Sequence, residues 1–435
     1  MLMSSASTTA IHARVSGLPE VESGTKVGSV AHGGVALSVH DDIASLESEW
    51  RAFEATADGT VFQTFAWHSA WQRNIGARTG VRPAIVIGRR ERRILFLFAF
   101  AIEPGRLVRR LVWHAHGLCD YNAPLLAAEF TGAVGAAGFL PLFSAIKAAL
   151  QADPRFRFDA VAFDKMPETV GGQANPFLAL CTTLNPSGAY LTHLGSEWES
   201  FYFAKRSSAT RRRDRTKRKR LGDLGEVVYS TPADKPGIEA NLAVLVDQKS
   251  KAFARMGVPN LFARPGYRDF FFDVATDPAS RGLAHVSRLD VGSTLAAANF
   301  GLIFRGRYYH ILASYDAGEV SRFGPGAAHL HDLMRHAIEH GCSEFDFTIG
   351  DEPYKRDWAD TEIKLYDYHS AATAVGFAAA LPSLAKARVK RFIKQTPFLW
   401  RTFSRARALA GSLRSRGKAA AAAVPAGPDE GNSDT

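Results

Sequence analysis

The chain has 435 residues, 46% of them hydrophobic and 22% charged, an ordinary globular composition whose length points to two domains with tails. Its net charge of +10 is set by two segments: residues 205–220 carry ten Lys/Arg and one acid, residues 383–418 carry eleven Lys/Arg and none, and the remainder is acidic. A high pI of this origin does not mark a general nucleic-acid binder. Three scattered cysteines exclude a disulfide framework, no apolar run approaches the ~20 residues of a membrane span, and the leader lacks a signal-peptide core, so a cytoplasmic protein is expected.

Residues 1–35 read as a disordered leader. Val35, Leu37 and Val39 then alternate like a strand, and Ile43, Leu46, Trp50 and Phe53 recur at helical spacing. Phe62, Phe65, Trp67 and Trp71 mark a second helix. Residues 82–105 give two strands about a charged turn, 136–153 a helix stopped by Pro154, and 158–166 a strand. This first α/β unit spans residues 36–190. The second, 191–380, starts with a charged helical stretch from Trp198 to Arg220, broken by Gly222 and Gly225. A strand, two helices and three strands with glycine turns follow. Gly324-Pro325-Gly326 then precedes a helix, and residues 344–350 form a last strand. Residues 381–435 read as a basic, then disordered, tail.

The turn at Gly324 carries chemistry. The first N–H groups of a helix have no intrahelical partner and sit at its positive end, and glycines let an anion approach them. A pyrophosphate fits such a seat, although most Gly-x-Gly turns only reverse the chain. The run Asp346-Phe347-Thr348-Ile349-Gly350-Asp351-Glu352-Pro353-Tyr354-Lys355-Arg356 resembles the hallmark of the acetyltransferase family that includes CelD-like cellulose-biosynthesis proteins, and His116 to Leu126 is similar to its Asp-Tyr-x-x-Pro-Leu stretch. The resemblance implies a GNAT-like mixed α/β (α+β) sheet flanked by helices, in two tandem units related to the FemAB transferases. It implies acyl-CoA as co-substrate; no metal is expected. The family's phosphate loop begins with Gln or Arg where this chain has Ser321, and Arg322 follows one step late.

Acyl transfer from a thioester needs a base for the attacking amine or hydroxyl, an oxyanion donor and an acid for the thiolate. Asp316 and Asp351 at strand ends, His310 on the strand before Asp316, and Tyr354 are the catalytic candidates. Arg322, Gly324, Gly326, Ala327, Lys355 and Arg356 are the cofactor-binding candidates. The plainer readings stand beside these: a satisfied half-buried His310, an Asp346 that orients its strand end, and Lys355 and Arg356 paired with Asp351, Glu352 or Asp357. His114, His116 and Cys119 lack the fourth ligand of a structural zinc. Asp120, Tyr121 and Asn122 are placed in an acceptor pocket between the units.

The basic run 205–220 holds no aromatic residue for base stacking, which argues against nucleic acid. A solvated helix face, or attraction to an anionic acceptor, CoA phosphates or lipid, remains. Residues 386–411 mix cations with Phe392, Phe398, Trp400 and Phe403, a pattern suited to peripheral contact with an anionic inner-membrane surface. The expected function is acyl transfer from acyl-CoA to an amine or hydroxyl of an exopolysaccharide or cell-envelope precursor. The alternatives are a FemAB-like aminoacyl-tRNA-dependent transferase and a non-catalytic adaptor of a polysaccharide synthase.

Overall fold

The computed structural model describes residues 30–135, 137–280 and 282–378. The leader before residue 30 and the basic tail from 381 lie outside them. Among the described residues no helix is long and apolar enough to cross a membrane.

Two sheets organise the chain. The first runs Val30–His32, Val35–His40, Arg82–Arg90, Arg93–Glu103, Arg110–Trp113, Ala160–Pro167, Leu365–Ala371, Thr183–Leu184, with Leu125–Leu126 added to Arg93–Glu103. The second runs Val227–Ser230, Ala284–Val291, Thr294–Phe304, Arg307–Tyr315, Glu344–Ile349, Ala189–His193, Thr361–Ile363. Each sheet contains one parallel pair, Arg110–Trp113 with Ala160–Pro167 and Arg307–Tyr315 with Glu344–Ile349. Each parallel pair is bridged by a crossover containing a helix, Phe139–Ala152 in the first and Pro325–Glu339 in the second. The two units therefore repeat one plan.

Their last strands are exchanged. Ala189–His193, which follows the first unit in sequence, pairs with Glu344–Ile349 of the second sheet. Leu365–Ala371, which follows the second unit, returns to pair with Ala160–Pro167 of the first. One apolar cluster crosses between the units and includes Phe62, Trp67, Tyr121, Phe270, Phe300 and Tyr309, all buried. Burial on this scale, about 25 cal/mol per Å² of apolar surface, holds the two units as one body.

Read as one charged helix in the sequence, residues 198–220 form two. Trp198–Lys205 ends at Arg206, and Ser208–Gly222 starts anew behind Ser207, whose hydroxyl accepts from the Thr210 N–H at 3.2 Å. Ser207 is extended (ψ 155°), the backbone an N-cap requires, so the local hydrogen bond outweighs helical continuity.

The two parallel pairs differ in what fills the space where their strands part. In the first unit Trp113 stacks among Phe100, Phe163 and Phe177 at ring separations of 5.0, 5.1 and 4.8 Å. That aromatic wedge closes the first crevice. Trp113→Ala is expected to cost about 3–5 kcal/mol in a chemical denaturation experiment, the loss typical of a large aromatic removed from a packed core.

Candidate functional site

Where Arg307–Tyr315 ends, the Asp316 carboxylate accepts from the Gly318 N–H at 2.7 Å and turns the chain. A short turn of helix, Glu319–Phe323, leads to Gly324 at φ 69°, ψ 55°, and Pro325 opens the helix Pro325–Glu339. The left-handed conformation is nearly free for glycine and costs other residues about 1–2 kcal/mol. Arg322 turns back to Glu319 at 2.8 Å and does not line the cleft at this helix end.

That cleft has a volume of about 270 Å³. Gly324, Ala327 and Ala328 form its floor, and helix Ser208–Gly222 supplies its cations. A Cβ on Gly324 would lie 3.7 Å from Lys217 Nζ, so the ammonium stands directly over the turn. Arg211, Arg215, Lys217, Arg218 and Arg335 face Glu199, Asp214 and Asp332. Arg218 pairs with Asp332 at 2.9 Å, and Asp214 accepts from the Tyr202 hydroxyl at 2.9 Å. Arg335 also lies 3.7 Å from Glu199, yet with five cations against three acids the cleft keeps an excess of positive charge beside the positive end of a helix. Trp198, Tyr202 and Phe323 add aromatic walls. The charge that the loop sequence lacks at Ser321 thus arrives from the basic run, with Lys217 nearest the turn. Only the fold could reveal that.

A second feature lies at the parting strands. Arg307, Tyr308 and Tyr309 face Glu344, Phe345 and Asp346, and the parallel ladder stops there. Beyond this level Arg307–Tyr315 bulges against its other neighbour, where Gly301 faces His310 and Phe300 faces Leu312, leaving Ile311 as the extra residue. Glu344–Ile349 bulges as well, with Phe347 extra against Ala189–His193. Thr348 follows at φ 57°, a conformation rare for a β-branched residue. Its N–H is held by Asp346 at 2.8 Å, and its hydroxyl donates to the His310 carbonyl at 3.3 Å.

The opening is lined by polar groups from both units. Asp120 stands near Thr348, and burial raises the pKa of its carboxyl against the pull of Lys165 and Lys355. Lys165, itself at φ 54°, donates to the His116 carbonyl at 2.6 Å and to that of Cys119. Lys355 is buried; it donates to the Ile349 carbonyl at 2.8 Å and pairs with Glu352 at 3.1 Å. Lys249, on the helix Lys235–Arg255, stands within electrostatic reach of Glu352 and Lys355, and burial lowers its pKa. His310 is buried and held neutral, its pKa lowered to about 3 by desolvation. The amide of Asn299, turned to donate, lies 3.2 Å from its Nε2.

The remaining candidates are dispersed. Asp351 is half-buried between strand and helix, and Tyr354 is 38% exposed with its ring against Phe347 at 6.2 Å. Arg356 donates to the Tyr190 hydroxyl at 2.9 Å. Gly326 packs near Tyr315, where a Cβ would sit 3.4 Å from the ring. Asn122 spends its amide on Asp164, at 2.9 and 3.0 Å. His116 lies between Asp164 and Glu103; although burial opposes its charge, those carboxylates lift its pKa to about 9. His114 bonds to His68 at 2.8 Å. Among the described residues no group of three or more His, Cys, Asp or Glu is arranged to hold a metal. Lys165, Lys249 and Lys217 have no signal of their own in the sequence, Lys217 being hidden inside the basic run, whereas Thr348 lies within the run that carries the family resemblance.

Tyr121 joins the units. Its hydroxyl donates to Asp346 at 2.7 Å, while the second Asp346 oxygen accepts no hydrogen bond and faces Arg307 at 3.5 Å. Burial lifts the Asp346 pKa to about 6, opposed by Arg307 and by the Tyr121 and Thr348 hydrogen bonds.

Residues 208–356 match the family described as Acetyltransferase (GNAT) domain. The crystal structure of FemX aligns with a TM-score of 0.53 at 12% identity, over 74% of this chain and 95% of that one. A conserved protein of unknown function from Bacteroides thetaiotaomicron VPI-5482 aligns at 0.50 with 11% identity, over 76% and 98%. A tandem GNAT protein from the clavulanic acid biosynthesis pathway aligns at 0.43 with 10% identity, over 78% and 98%. No curated protein matches. At such identities the likeness is one of fold, and the fold is the expected mixed α/β arrangement with GNAT-like units.

Because the folded pKa of Asp346 lies above the ordinary carboxylate value, its contribution to stability is complete below pH ~4 and is lost as pH rises through 6, a change of about 3 kcal/mol. Asp346→Asn is expected to flatten the stability profile over that interval, measured by denaturant midpoints across pH.

Proposed function

We propose that this protein transfers an acyl group from acyl-CoA to an amine or hydroxyl acceptor. One observation carries the reading: a cationic, aromatic-walled cleft at the glycine-opened start of helix Pro325–Glu339, on the same crossover that follows the parting strand. A diphosphate suits the N–H groups and cations of this cleft, and an adenine ring suits its aromatic walls. The extended arm of the donor then runs along Arg307–Tyr315, where the bulge at Ile311 frees backbone groups from the ladder to hold the thioester carbonyl.

The acceptor enters between the two units, 36–190 and 191–380, past Asp120 and Tyr121. Asp120 is the general base: burial raises its pKa above that of an ordinary carboxylate, and it stands beside Thr348, whose hydroxyl bonds the His310 carbonyl on the reaction strand. A His310 with a pKa near 3 is too weak a base at neutral pH and serves to shape the strand. The acceptor attacks the thioester carbon, its proton passes to Asp120, and the C–S bond breaks. Tyr354, whose phenol stays protonated because burial and Glu352 raise its pKa, protonates the departing thiolate. Asp316 holds the turn at the end of its strand. A precursor of an exopolysaccharide or of the cell envelope is the acceptor class that fits the family resemblance.

Aminoacyl-tRNA as donor is the second reading, favoured by the FemX-like fold and the basic helix. Calorimetric titration with acetyl-CoA and longer acyl-CoAs separates the two. Saturable CoA binding that falls about 10- to 100-fold in Lys217→Glu supports the first, that being the range for a lost charged hydrogen bond. No CoA binding, with aminoacyl-tRNA bound instead, supports the second; neither leaves an adaptor. With an acceptor in hand, Asp120→Asn should lower kcat by about 10²- to 10⁴-fold while leaving donor affinity unchanged. An unaltered kcat assigns the base elsewhere.

A further inference from the structure

Helix Ser208–Gly222 presents two different cationic faces. Arg211, Asp214, Arg215 and Arg218, at i, i+3, i+4 and i+7, line the cleft. Arg212, Arg213, Thr216, Lys219 and Arg220 occupy the opposite side and are exposed. Among the described residues none of those four cations has an acidic side chain within ion-pair distance, whereas inward Arg218 is paired with Asp332. Charges left unpaired on a cleft wall are explained by the cleft. Three more on the outer side, Arg212, Arg213 and Lys219, have no acidic or aromatic partner among the described residues and are not.

We propose that this outer face docks on an anionic phospholipid bilayer. The helix runs about 22 Å at 1.5 Å per residue and is convex, a shape that meets a plane of headgroups along its whole length. An exposed apolar side chain, Leu224, 40% exposed, follows the C-terminal end of the helix. Cations spread along a face with an apolar residue at its margin suit headgroup attraction combined with shallow insertion. Asp223 and Glu226, beyond the C-terminal end, confine the attraction to the helix itself. A single-stranded nucleic acid would be tracked instead by a groove with ring platforms. Here the outer stripe holds no ring, and one face of Phe203 is covered by the Arg211 guanidinium at 4.1 Å. The docking follows from this surface alone and stands whether or not the acyl-transfer reading does. It sets the cleft on the inner side of the same helix just behind the headgroup layer.

The test is co-flotation of the full chain with vesicles of phosphatidylcholine alone and with added phosphatidylglycerol. The variant is Arg212→Gln/Arg213→Gln/Lys219→Gln. Arg220 is kept because its guanidinium lies over Phe323, a wall of the cleft. Wild type should bind only the anionic vesicles, and less as salt rises. At roughly the headgroup attraction of one Lys or Arg apiece, the triple variant should lose about a hundredfold in partitioning. Circular dichroism and an unchanged melting temperature show that it is folded. Partitioning reduced less than tenfold places the lipid contact elsewhere and overturns the proposal. So does a labelled RNA hairpin bound by wild type, and lost in the variant, where anionic vesicles are not bound.

Discussion

Two neighbouring strands that begin parallel and cannot remain so set the geometry of the candidate site. Arg307–Tyr315 and Glu344–Ile349 share three residue pairs and then part, because each carries an extra residue, Ile311 and Phe347, against its other neighbour at the level where the ladder ends. A bulge bends its strand and increases local twist, so two bulges at one level turn the strands away from each other. Backbone groups past that level lose their sheet partners, and side chains must fill or line the gap. Lys355 does so from the following helix, with its ammonium on the Ile349 carbonyl.

A bulge on one strand of the parallel pair occurs in the first unit with a different outcome. Between Phe163 and Met166, strand Ala160–Pro167 carries an extra residue against Leu365–Ala371, and Lys165 takes φ 54° where the second unit has Thr348 at φ 57°. Two non-glycine residues in the left-handed region at matching places in two sheets are hard to explain except as parts of one repeated plan. Each such residue costs about 1–3 kcal/mol and persists only where its surroundings over-determine it. Asp346 and the His310 carbonyl hold Thr348, and the carbonyls of His116 and Cys119 hold Lys165. In the first unit the gap is sealed by Trp113 and its aromatic neighbours. In the second it is left polar.

Much of this plan is written locally. The alternation of Val35, Leu37 and Val39, the helical spacing of Ile43, Leu46, Trp50 and Phe53, and the order of strands before Gly324 all correspond to elements found. Their signals are short-range, set by side-chain period and backbone conformation. The helix break at Ser207 was missed because the charge run masks the cap. The strand exchange is invisible locally, since pairing of Leu365–Ala371 with Ala160–Pro167 depends on contacts some two hundred residues apart. Asp120 was placed in a pocket between the units from its neighbours in sequence. Its place beside Thr348 depends on a backbone conformation that nothing in the residue's own chemistry favours.

The basic run shows how a composition signal divides once the chain is folded. As a sequence it is one block of charge. Its helical period splits it into a cleft wall and an outer face, while Ser207 sets the helix start and therefore the phase. Shifting that start by one residue would rotate every cation by about 100°, taking Lys217 away from Gly324 and moving outward-facing arginines into the cleft. The cap thus sets the geometry of the cleft: the helix start fixes which charges meet the glycine turn and which meet the surroundings. Charge at the turn does not have to come from the turn's own sequence, and the displaced Arg322 is compatible with a working phosphate seat.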